Sequence, residues 1–95
     1  MITRIVKMTF NTSYRTTFEA LFNEHKIKIK NQPGCMHLEL LQDLENPNQY
    51  ITYSIWKSAE DLERYRNSEV FKYIWPLTKQ GFDAPAQAWS FSNVG

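Results

Sequence analysis

Two groups of side chains in this sequence carry chemistry. The first lies on one short segment, "CMHLELLQ", where Cys35, His37 and Glu39 alternate with apolar residues. Alternate residues of a strand share a face, so His37 and Glu39 read as an adjacent acid–base pair. An imidazole with an ordinary pKa of ~6.5 suits proton transfer near neutrality, and the carboxylate would orient it. The plainer reading is a hydrogen-bonded structural histidine. Cys35, His37 and Glu39 also invite a metal reading. Same-face neighbours on a strand stand roughly 6.5–7 Å apart, whereas zinc ligands converge to ~2.0–2.3 Å of the ion; no metal site is expected. The second group is the aromatic series in "WKSAEDLERYRNSEVFKYIW": Trp56, Tyr65, Phe71, Tyr73 and Trp75. Trp56 and Trp75 are candidates to stack on a planar ligand, and Tyr65 offers a hydroxyl donor. His25 sits on the apolar stripe of a helical segment, as a cavity residue or as a satisfied core histidine. Pocket roles are expected for two or three of the five aromatics, the others serving as core or interface.

The totals bound what these groups serve. A chain of 95 residues makes a single domain, 1–95, whose folding hides only roughly 60% of its unfolded surface. Its aromatic content of 15% is high for so thin a core. The formal charge of +1, with acids and bases interspersed, excludes the footprint of a nucleic-acid binder. "KIKIK", Lys26 to Lys30, reads as a helix C-terminus where lysines complement the macrodipole. A lone cysteine permits no internal disulfide and fits a reducing compartment. With no apolar run near the ~20 residues of a membrane span and no signal-peptide pattern, a cytoplasmic location is expected.

The elements that must position these groups follow from periodicity. "ITRIVKMTF" reads as a strand from Ile2 to Phe10, with Val6, Met8 and Phe10 on one face and Ile5 on the other. Arg4 interrupts an apolar face. A helix is expected from about Ser13 to Asn31, with Phe18, Leu21, Phe22, His25 and Ile29 as its stripe and Thr12 or Ser13 as its cap. "NQPG" ends it. Strands follow at Cys35 to Gln42 and Gln49 to Trp56, joined by a turn at "NPN". Ser58 starts a helix, with Asp61 three residues on as in a capping box. Ser68 caps a second helical piece, in which Pro76 is expected to cause a kink. Ala86 to Val94 alternates as a fourth strand. The order βαββαβ points to an α+β, ferredoxin-like sandwich: a four-stranded antiparallel sheet with helices on one face. Apolar residues on both faces of the middle strands then require cover for the open face, so a homodimer through that face is expected.

"QPGC" after the first helix, "YSIWKSAEDLERYRNS" and "VFKYIW" together resemble the antibiotic biosynthesis monooxygenase family, of the dimeric α+β barrel superfamily, over Ile2 to about Phe91. The resemblance implies a homodimer whose sheets form a barrel and a cavity between sheet and helices. For the family's best-understood members it also implies oxygenation of phenolic or quinol substrates without metal or flavin. By the same resemblance, Thr52 stands where catalytic members carry an asparagine, four residues before the strand tryptophan, Trp56. Trp75 stands where the haem-degrading branch has its iron-ligating histidine, and Tyr65 where that branch has a tryptophan. Indole cannot ligate iron, so haem degradation is not expected.

The leading expectation is a cofactor-independent monooxygenase acting on a planar aromatic or quinol-like molecule. His37 would take the phenolic proton, Thr52 and Tyr65 would donate hydrogen bonds, and Trp56, Trp75 and His25 would line the slot. No cofactor, nucleic acid or membrane is expected among its partners. The alternative is a non-catalytic binding or interaction module on the same dimeric fold; an enzyme acting on a small non-aromatic carbonyl compound explains the aromatic excess less well.

Overall fold

A computed structural model describes all residues, 1–95. The chain forms β1 (Ile2–Thr9), a 3-10 turn (Thr12–Tyr14), α1 (Arg15–Lys30), β2 (Cys35–Gln42), β3 (Gln49–Trp56), α2 (Ala59–Arg66), α3 (Glu69–Lys79) and β4 (Gln87–Ser92). The strands make one antiparallel sheet in the order β2-β3-β1-β4. This is the expected ferredoxin-like α+β sandwich, with β1 and β3 at the centre and the helical layer on one face. No helix is long and apolar enough to cross a membrane.

Local chemistry sets the boundaries. Asn11, rather than Thr12 or Ser13, starts the first helical segment: its side-chain oxygen accepts from the Ser13 amide at 2.9 Å. The turn it forms is 3-10, so α1 begins only at Arg15. Ser58 caps α2 by accepting from the Asp61 amide at 3.1 Å, and its hydroxyl donates to the Asp61 carboxylate at 3.0 Å. Arg64, one turn on, also bonds that carboxylate. Ser68 caps α3 through the Phe71 amide. The helix continues past Pro76 to Lys79, although proline lacks the amide that would bond the Lys72 carbonyl. β1 ends one residue early, and Phe10 instead makes a single bridge with Phe82.

Gly34 connects α1 to β2 with φ +82°, the left-handed region where a Cβ is strained. Its carbonyl accepts from the Lys57 amide at 2.8 Å. A Cβ there would lie 2.3 Å from the Asp61 carboxyl carbon. The turn before β2 and the cap of α2 are thus packed against each other with no room for a side chain.

The strand register sorts the sheet into two faces. On the inner face Arg4, Val6 and Met8 of β1 sit beside Ser54, Thr52 and Tyr50 of β3. At one end Met8, Phe10, Phe18 and Tyr50 close into a core, each 3% exposed or less. On the open face lie Ile5, His37, Glu39, Leu41, Ile51, Tyr53, Ile55, Trp89 and Phe91, as their pairings require. Leu41, Trp89 and Phe91 are 46%, 42% and 51% exposed. The face therefore leaves large apolar side chains uncovered within one chain, interspersed with Thr3, Lys7, His37 and Glu39.

Two outcomes test this account. Gly34→Ala should lower the unfolding free energy by about 1–3 kcal/mol in urea titrations, since a non-glycine residue is forced left-handed and Asp61 must also yield; Gly95→Ala, with nothing near it, should change nothing. Bonds from Arg64 and then Ser58 hold the Asp61 carboxyl below the ordinary range. The stability it contributes is therefore complete above the unfolded carboxylate pKa of ~4 and drains as pH falls through the lower folded value. Asp61→Asn should flatten this acid limb.

Candidate functional site

Between the inner sheet face and the helices lies a cavity of about 300 Å³, lined by 19 residues of which 14 are hydrophobic. This is at the small end of the range of ligand sites. It continues from the closed core at Met8 and Phe18 toward the end of β1 that carries Arg4. The β4 side of the wall is made by two small residues, Ala86 and Ala88.

The opposite wall is a chain of aromatic rings. Trp56, the last residue of β3 and 1% exposed, donates from Nε1 to Ser54 Oγ at 3.0 Å. Its indole stacks on Tyr65 of α2, with centroids 5.1 Å apart and planes 20° apart. Tyr65 meets Phe71 edge to face at 5.3 Å, Phe71 stacks on Trp75 at 5.6 Å, and Trp75 meets Phe82 edge to face at 5.7 Å. Phe82 reaches Phe10 and the core at 5.3 Å. Each contact falls within the distances at which rings attract beyond simple burial. Four of the five aromatics singled out in the sequence therefore line the cavity, Trp56, Tyr65, Phe71 and Trp75, rather than two or three. Tyr73 does not; it is 59% exposed.

The structure brings Thr52, Trp56, Tyr65 and Trp75 together on this wall. It places the two histidines elsewhere. His37 pairs with Ile55 on the open sheet face, where its Nε2 lies 2.8 Å from Glu39 Oε1 and its ring edge meets Tyr53 at 5.7 Å. The reason is the pairing with β3: His37 lies opposite Ile55 and faces outward because its neighbour Leu38, opposite Ser54, faces inward, while an irregularity between Cys35 and His37 brings Cys35 opposite Trp56 on the inner face. Cys35, His37 and Glu39 consequently do not share a face, and no group of three or more potential ligand side chains occurs anywhere in the chain. His25 is buried at 6% exposure, but its Nδ1–H donates to the Leu21 carbonyl at 2.9 Å and its ring packs near Tyr73. It is a satisfied helix histidine off the cavity wall.

The wall's polar groups are few: Arg4, Thr52, Ser54, Arg66 and Thr78, with the hydroxyl of Tyr65. Thr78 donates to the Ile74 carbonyl at 2.8 Å, and Ser54 already accepts from Trp56. Burial, reinforced by the nearby Cys35 thiol, pushes the Tyr65 phenol far above its usual range. Tyr65 is thus a donor at any physiological pH, never a base. The wall contains no histidine, aspartate or glutamate. Arg4 was legible in the sequence only as an interruption of an apolar strand face; nothing in the sequence reading singled out Arg66.

A sequence model of the antibiotic biosynthesis monooxygenase family matches residues 1–74, and the chain belongs to that family. No curated protein matches the sequence. Among solved structures, an antibiotic biosynthesis monooxygenase is similar over 100% of both chains at 18% identity, with a TM-score of 0.94. A conserved protein from Methanosarcina mazei Go1 is 24% identical over 96% of this chain and 91% of its own, with a TM-score of 0.90. SnoaB, a cofactor-independent oxygenase from Streptomyces nogalater, is 17% identical over 97% of this chain and 91% of its own, with a TM-score of 0.85. At these identities the likeness to each structure establishes the fold.

The ring chain is the wall's main contribution to stability, and the Tyr65 hydroxyl makes no bond within the protein. Tyr65→Phe should change unfolding free energy by no more than about 0.5 kcal/mol, whereas Tyr65→Ala should lower it by about 3–5 kcal/mol, both measured by urea denaturation.

Proposed function

We propose that this protein is a cofactor-independent monooxygenase whose substrate is a planar, electron-rich aromatic molecule of the quinol type, held in the aromatic slot. The observation that carries the reading is the cavity itself. It is a small apolar space walled on one side by four consecutive interlocked rings, with the Thr52 and Tyr65 hydroxyls as donors. Membership of the family, and a structural neighbour that is a cofactor-independent oxygenase, support it.

The chemistry asks little of the protein. A quinol gives two electrons on becoming a quinone, and conversion of one ring C–H to C–OH gives two more. Molecular oxygen takes all four, one atom entering the ring and the other leaving as water. A dry slot strengthens each hydrogen bond to the developing oxyanion, and Thr52 and Tyr65, both on the wall, are the donors that make those bonds in this reading. With no carboxylate or imidazole on the wall, the phenolic proton leaves to water at the mouth of the cavity rather than to His37. That same lack favours a second reading, in which the cavity binds its aromatic ligand and releases it unchanged.

The open face of the sheet completes the proposal. Ile5, Ile51, Ile55, Trp89 and Phe91 form an apolar surface that a single chain leaves to solvent, and a second copy of the chain covers it in a cytoplasmic homodimer. His37 and Glu39 then belong to the interface.

Oxygen uptake with a panel of naphthalene and anthracene quinols provides the test. One quinol should be consumed with one equivalent of oxygen, faster than in buffer, and not at all anaerobically. Thr52→Val or Tyr65→Phe should lower kcat on the order of 10²-fold, while His37→Ala should leave it unchanged per folded dimer. Binding of a quinol that is recovered intact under oxygen would establish the second reading. Sedimentation at micromolar concentration should give the mass of two chains; a stable single chain would remove the dimer.

A further inference from the structure

The inner sheet face is apolar along most of its length, yet one row across it reads Leu38, Ser54, Arg4, Ser90. Arg4 thus places a guanidinium on the wall of a cavity built from rings and alkyl groups. The guanidinium is half-buried, so it gives up part of its hydration there, and within this chain no carboxylate pairs with it. Its one hydrogen bond is from Nη1 to the neutral Ser90 hydroxyl at 3.0 Å, and it takes part in no ion pair. The acid whose charge reaches it, Glu63, is engaged elsewhere, with Arg66 at 3.3 Å and with the Asn67 side-chain amide at 3.2 Å. Arg66 also lines the cavity, so two cations face the space against a single acid. Burial first, and then the charge of Arg66, lower the Arg4 pKa, with Glu63 opposing.

We propose that Arg4, with Arg66 beside it, is the seat of a carboxylate, and that the ligand of this cavity is a planar aromatic acid whose rings lie in the aromatic slot. The inference rests on the reading of the cavity as a ligand site and specifies its substrate class. The planar fork of a guanidinium matches a carboxylate through two parallel bonds, and the N–H groups of Arg4 not used by Ser90 have no acceptor in the protein. An apolar body with one anionic end is the shape and charge that such a wall complements. Arg4 is on this account retained for recognition rather than for folding. Replacing it with an alkyl side chain removes an unpaired charge and does not weaken the sandwich.

Calorimetric titration of the full-length protein with 2-naphthoate and with its neutral counterpart 2-naphthamide tests the proposal without any turnover. Naphthoate should bind roughly tenfold tighter or more. Arg4→Met should abolish that preference while leaving naphthamide affinity and Tm no lower. Arg4→Lys, which keeps the charge without the fork, should retain part of the preference, and Arg66→Gln should narrow it. Equal affinity for the two compounds, binding of neither, or an Arg4→Met protein with lowered Tm and equal losses for both would overturn the proposal. Neither compound is a quinol, so loss of the oxygenase reading would leave this result standing, and the reverse.

Discussion

The structure depends on ring-to-ring contact between the end of β3 and the two helices that follow it. Trp56 is fixed at the sheet by its bond to Ser54, and Tyr65, Phe71, Trp75 and Phe82 follow from it by alternating stacked and edge-on contacts. Flat rings joined in this way hold two layers apart at a set distance, but they do not fill the volume between them as branched aliphatic side chains would. The cavity is the geometric result. A chain of this size gives up core volume to keep it, and the closed cluster at Met8, Phe10, Phe18 and Tyr50 must carry much of the packing.

The second organising constraint is the two-residue repeat of the strands. It delivers Thr52 and Trp56 to one side of β3, and Tyr53 and Ile55 to the other. In β2 the same repeat sends His37 and Glu39 outward beside Ile55 and Tyr53, and the irregularity at the start of the strand turns Cys35 inward beside Trp56. The only close histidine–carboxylate pair in the molecule is therefore separated from the aromatic slot by the thickness of the sheet. Whatever the slot does to a bound molecule, it does with hydroxyls and guanidinium groups.

Much of this organisation was legible in the sequence. β2 and β3 run between the residues that turn signals and alternation indicate, because "NQPG" and "NPN" leave no other boundary. Ser58 and Ser68 cap their helices because each stands immediately before a helical segment; Asn67, beside Ser68, is taken up as the C-cap of α2. The start of α1 was not legible, since Asn11, Thr12 and Ser13 are all competent caps and only the fold selects among them. Thr52, Trp56, Tyr65 and Trp75 could be placed on one wall from spacing and family likeness. His37 could not be placed, because alternation groups it with Glu39 and Leu41 but the face that meets the helices is settled by pairing with β3 and not by the pattern of β2 itself. Arg66 was equally hidden: at the end of α2 a cation is ordinary, and only the packed structure shows which space it borders.

Ala86 and Ala88 give the cavity wall a property that the ring chain does not have. They lie at the edge of the sheet, and every residue of β4 is exposed. Ala86, just before β4, packs against the core cluster, but Ala88 within the strand is exposed, so the dimension of the chamber there is set in part by a side chain that bears little of the packing load. Enlarging the group at Ala88 would shrink the space without disturbing the sandwich. Relatives with the same frame can thus come to hold quite different molecules through one or two changes on a single edge strand.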